Sequence, residues 1–191
     1  MYKYLIILFC LSAAACSEQN SNSQSITNNW AYQPQNHSDV LDEQCQPIIV
    51  KYQELLKGVK RQDTAYISLV ANEMKFQLDS FATMDLSKDT LLNNEMKAGF
   101  QNIAAELEAV IYSNGMGDES ELKISVNMCT IQILNLLGKI GYNKQQVYIF
   151  QTEDIVLEDG LYWFALQKNA PNPYQPNQKK EVEAIYILQE K

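Results

Sequence analysis

The chain has 191 residues, with 15 Lys and Arg against 23 Asp and Glu and a net charge of −8 at neutral pH. That length holds one domain with short extensions. The acidic balance argues against nucleic acid or an anionic lipid surface as an electrostatic partner and leaves a basic protein surface open.

Residues 1–15 carry Lys3, the apolar run Leu5-Ile-Ile-Leu-Phe-Cys-Leu11 and the small residues Ser12-Ala-Ala-Ala15. These are the three parts of a secretory signal, and the apolar run is well short of the roughly 20 residues that span a bilayer. Cys16 follows directly. The stretch "LSAAACS" resembles the lipobox of bacterial lipoproteins, with Ala13 where Leu is usual. The resemblance implies that Cys16 is lipidated with diacylglycerol, that residues 1–15 are removed, and that the freed amine is acylated by a palmitate-type chain. Ser17 in place of Asp implies export to the outer membrane, on the periplasmic side or at the cell surface. Each buried CH₂ contributes about 0.8 kcal/mol, so several acyl chains anchor a protein durably. Cys10 and Lys3 leave with the signal.

Residues 16–38 then read as the lipidated cysteine and a flexible tether rich in Ser, Asn and Gln,. Residues 39–191 read as a single domain. Asp39, Asp42 and Glu43 suit a helix N-terminus, and Cys45, Ile48, Ile49, Tyr52, Leu55, Leu56 and Val59 follow at helical steps. Gly58 and "KRQD" suggest a break. Tyr66, Leu69, Val70, Met74, Gln77, Leu78 and Phe81 continue a weaker helical face, although "KFQLDSF" also suits a strand, so residues 62–82 stay open between the two. After a loop with cap candidates Ser87 and Asp89, Leu92, Met96, Phe100, Ile103, Leu107, Val110 and Ile111 give the clearest helix, stopped by Gly115 and Gly117. Leu122, Val126, Cys129, Ile133, Leu137 and Ile140 predict another, ending at Gly141.

Past Tyr142 the texture is β. "VYIF" is one short run, and Asp159-Gly160 predicts a two-residue hairpin turn that sets Leu157 opposite Tyr162 and Ile155 opposite Phe164. "EVEAIYILQ" is a final strand. The whole is α+β: three or four N-terminal helices packed on a C-terminal antiparallel sheet of three or four strands.

Cys45 and Cys129 are the cysteines left beyond the anchor. In an oxidising compartment such a pair predicts a disulfide, closing a loop of about 84 residues and contributing roughly 4–5 kcal/mol. With two cysteines and one histidine, no metal-ligand spacing exists and no cofactor motif is present. His37 sits in the tether, so nucleophile–base catalysis lacks its base in the folded part. The adjacent acids Glu153-Asp154, Glu158-Asp159 and Asp118-Glu119 read as capping or solvated groups. Tyr148, Phe150, Tyr162, Trp163, Phe164 and Tyr186 read as packed sheet residues. No catalytic residue is assigned.

Between two strands, residues 168–180 form a long loop bearing Pro171, Pro173, Tyr174 and Pro176. Its restricted backbone and a tyrosine expected at the surface mark a candidate interaction loop. The expected function is therefore a non-catalytic outer-membrane lipoprotein binding a protein or envelope component. The alternatives are a small-ligand carrier with an apolar pocket between helices and sheet, or an inhibitor or immunity protein against an exported toxin or hydrolase.

Overall fold

The computed structural model describes residues 39–85, 90–153, 157 and 160–188. Four helices come first: α1 (Asp39–Arg61), α2 (Thr64–Ala82), α3 (Thr90–Met116) and α4 (Glu119–Ile140). Five short strands follow: β1 (Tyr148–Thr152), β2 (Leu161–Ala165), β3 (Asn169–Pro171), β4 (Glu181–Glu183) and β5 (Tyr186–Ile187). The α+β order expected from the sequence is the observed one. Cys16 and the rest of residues 1–38 lie outside the described residues.

The helices bury the stripes that their spacing predicts, such as Ile48, Ile49, Tyr52 and Leu55 on α1 and Met96, Phe100, Ile103 and Leu107 on α3,. Residues 64–82 are helical throughout, which removes the strand reading of "KFQLDSF". Leu69, assigned to the apolar face, instead faces solvent at 55% exposure, with Phe76 two turns on at 78%. Gly58 does not break α1. It lets α2 approach closely, because an added Cβ would lie 3.0 Å from Ile67 Cγ1. Gly115 likewise stays within α3, and Ser87 and Asp89 lie outside the described residues.

Two helix corners are built alike at one end of the bundle. At the first, Gln62 N donates to Val59 O and Asp63 N to Gly58 O; at the second, Gly117 N donates to Asn114 O and Asp118 N to Ser113 O. Both patterns close a helix through a residue in the left-handed region, Gln62 at φ 53° and Gly117 at φ 71°. In each, the next residue is an aspartate that caps the following helix: Asp63 accepts from Tyr66 N, and Asp118 from Ser120 N and Glu121 N,. Gly141 ends α4 in the same left-handed form.

In the sheet β1 is central, in the order β2-β1-β5, while β3 and β4 make a separate two-stranded ribbon. The hairpin register differs from the expected one. Tyr162 lies opposite Gln151 and Phe164 opposite Ile149, so β1 itself is the partner of β2 and the connection is longer than two residues. Ile155 and Asp159 lie outside the described residues. Gly160 adopts φ 70°, and a Cβ there would collide with the Thr152 carbonyl oxygen, which explains glycine at the entry to β2. The final apolar run is not one strand. Val182 pairs with Ala170 in the ribbon, whereas Tyr186 pairs with Ile149 in the sheet.

The disulfide expected between Cys45 and Cys129 is absent; both are free, buried thiols. Gln46 Oε1 accepts from Tyr142 Oη beyond the end of α4, and Tyr52 Oη meets Thr130 Oγ1, which ties α1 to α4. Burial pushes both thiols up, with Asp42 adding to it at Cys45 and Glu106 at Cys129, and a protonated buried thiol is inert. In native protein, peptide mass spectrometry after brief alkylation without reductant should find both unmodified. Both should be labelled once guanidinium is added, still without reductant; labelling that required reductant would restore the bridge.

Candidate functional site

The site grows from the way β2 protects its free edge. An edge strand leaves every second N–H and C=O unpaired, a cost when buried and an invitation to foreign strands when exposed. Here side chains take those groups. Asn127 Oδ1 on α4 accepts from Tyr162 N (2.7 Å), Tyr174 Oη donates to Tyr162 O (2.8 Å), and Gln53 Nε2 on α1 donates to Phe164 O (2.8 Å). Beneath them Tyr52 Oη donates to Thr130 Oγ1 (2.6 Å), whose own proton goes to Val126 O (2.9 Å). The Tyr52 ring stacks on Phe164 with centroids 4.1 Å apart. Helix, strand and loop are thus joined by part-buried hydrogen bonds on the edge of β2 and a buried pair beneath them,.

This arrangement corrects the expected role of Tyr174. It is not an exposed anchor: it is 4% exposed, set edge-on against Trp163 at 6.1 Å. Asn172 turns the chain inward, its Oδ1 accepting from Tyr174 N (2.9 Å),. Pro171 is exposed at the end of β3, Pro173 is buried and Pro176 half-buried. The loop is folded down on the helices.

Folded down, it completes a pocket. Pro173, Tyr174 and Pro176 form one wall; the two helix corners supply the rest, with Val59, Gln62, Thr64 and Ile67 on one side and Asn114, Asp118, Glu119 and Leu122 on the other. The volume is about 130 Å³. An apolar cavity of about 150 Å³ holds a benzene ring, and ligand pockets for free small molecules start near 300 Å³. The pocket therefore suits a single side chain.

Its polar groups are few. Asn114, 6% exposed, donates through Nδ2 to Thr64 O (2.8 Å) and Ser68 Oγ (2.7 Å), which fixes the amide and leaves Oδ1 buried with no partner. At the rim Asp118 caps α4, as expected, and Glu119 pairs with Lys123 at 2.7 Å; of the other acid pairs, Asp154, Glu158 and Asp159 lie outside the described residues. Gln62 is the anomaly. A side chain in the left-handed region costs about 1–2 kcal/mol, and the matching corner avoids the cost with Gly117.

The buried phenols make the site alkali-sensitive. Burial raises Tyr52 and Tyr174 well above the usual range and pushes Tyr142 up to about 12. A phenol held above its unfolded value near 10 contributes stability that is complete below that pH and lost as pH climbs through the folded value. Denaturant midpoints should stay level up to about pH 9.5 and fall steeply between about pH 10 and 12. Absorbance at 295 nm should show the phenols ionising together with unfolding; ionisation of all three in protein that stays folded would contradict their burial.

Among the described residues no helix is long and apolar enough to cross a membrane, and no cluster of three or more His, Cys, Asp or Glu is arranged to hold a metal. The sequence placed Pro173, Tyr174 and Pro176 together at the site. It missed Gln62, Asn114 and the edge-capping Asn127 and Gln53, whose roles depend on which backbone they face. No protein-family model, curated protein or solved structure matches the chain significantly.

Proposed function

We propose that the protein is a lipid-anchored, non-catalytic binding module on the periplasmic side of an outer membrane, and that its partner is a protein. The partner inserts one apolar side chain into the pocket walled by Pro173, Tyr174 and Pro176. The observation that carries this reading is Gln62. Its backbone is in a conformation that glycine would adopt without cost, yet its side chain stands at the pocket mouth, and strain retained at a concave surface points to use. Lys123, which pairs with Glu119, lines the same pocket, so the acidity that would favour a basic partner is the net charge of −8 of the whole chain,. Inhibition of an exported cationic toxin or hydrolase is one form such binding would take.

The test uses stability and binding as separate readouts. Gln62→Gly should leave the protein as stable or about 1 kcal/mol more so, and should weaken capture of a partner from detergent-solubilised envelope. Equal capture by both forms would remove the pocket from the function. Cys16→Ser should release the protein from membranes and lower its intact mass by the acyl groups; unchanged fractionation would refute the anchor.

A further inference from the structure

A second concavity lies on the other side of Pro173. One stripe of α1, formed by Gln53, Leu56, Lys57 and Lys60, faces β2 and β3 across a groove of about 350 Å³ floored by Trp163 to Gln167 and closed by Ala170 and Pro171. At roughly 30 Å³ per water-sized group, that volume accommodates about a dozen heavy atoms in a row, and it enters the range of free small-molecule sites. The lining is mostly apolar: Leu56, Phe164, Ala165, Leu166, Ala170 and the two prolines.

The charges in the groove run against those of the protein. The chain carries −8, yet the charged side chains lining the groove are Lys57 and Lys60. Lys57 has no ion-pair partner among the described residues, and Lys60 reaches only the Gln178 carbonyl oxygen at 3.3 Å. An apolar trough bearing two lysines without ion-pair partners among the described residues is complementary to a chain that is greasy along its length and anionic at one end,.

We infer that this groove binds a medium-chain alkyl carboxylate, with its tail along Leu56, Ala165 and Leu166 and its carboxylate toward Lys57 and Lys60. The site is independent of the side-chain pocket, and neither reading needs the other. Binding is tested on the purified full chain with carboxyl-¹³C decanoate below its micelle concentration, observed by NMR, beside decylamine and decanol in competition. One saturable decanoate site is expected, with decylamine at least tenfold weaker. The surface double variant Lys57→Glu/Lys60→Glu should lose at least tenfold in decanoate affinity, while Leu122→Glu in the other pocket should change nothing. Circular dichroism on each variant verifies that it is folded. Should the double variant not fold, the comparison of decanoate with decylamine on the unaltered protein decides alone. No saturable binding, equal binding of decylamine, or an undiminished double variant would overturn the inference.

Discussion

Tyr174→Ala should cost about 3–5 kcal/mol and lower the melting temperature by about 10 °C or more, the largest effect of any residue in the proline loop. The residue is buried in full view of two partners: its ring stands edge-on to Trp163 and its hydroxyl holds Tyr162 O. Truncation leaves a ring-sized void and an unpaired carbonyl on the edge of β2. Tyr174→Phe separates the two terms. It keeps the ring contact and loses the hydrogen bond, so it should cost only about 1–2 kcal/mol. Differential scanning calorimetry on the three proteins measures this; a Tyr174→Ala protein with an unchanged melting temperature would mean the tyrosine is at the surface after all. A surface anchor and a buried wall thus make opposite predictions for one substitution.

Tyr52→Ala should be of similar size, about 3–5 kcal/mol. Its ring stacks on Phe164 and forms the direct joint between α1 and the sheet. Its hydroxyl reaches Thr130 on α4, so the same side chain ties α1 to α4. Tyr52→Phe retains the stack, and Thr130 keeps its bond to Val126 O, which limits the cost to about 1 kcal/mol. Denaturant titration should therefore rank the substitutions Ala far below Phe, with Phe close to the unaltered protein. Equal losses for both would shift the weight from the ring to the hydroxyl.

How much of this was legible beforehand follows from what each signal depends on. Helical periodicity is a local property, and α1, α3 and α4 sit where Ile48 to Val59, Leu92 to Ile111 and Leu122 to Ile140 place them. Glycine signals were half readable: Gly141 and Gly117 end helices through their φ values, but Gly58 and Gly115 stay helical. A glycine that permits close packing looks the same in sequence as one that breaks a helix. Strand pairing was the weakest part, since the register of β2 is set by β1 and by the edge caps from Asn127 and Gln53 rather than by its own residues. Cys45 and Cys129 are free thiols in the structure, and whether two cysteines meet depends on how α1 and α4 pack, which the local pattern of neither helix fixes. The prolines of the loop are plain in the sequence, whereas its tyrosine turns inward to the Tyr162 carbonyl of β2, a partner that only the fold supplies.

The most direct test of the pocket as the binding site is crosslinking in intact cells. A photo-crosslinking residue is placed at Thr64, exposed at the pocket mouth, and in a second protein at Phe76, exposed on the same helix away from it. The account predicts one discrete protein adduct from position 64, none from position 76, and loss of the first when Leu122→Glu is added. The same adduct from both positions, or an adduct from position 64 that survives Leu122→Glu, would contradict it.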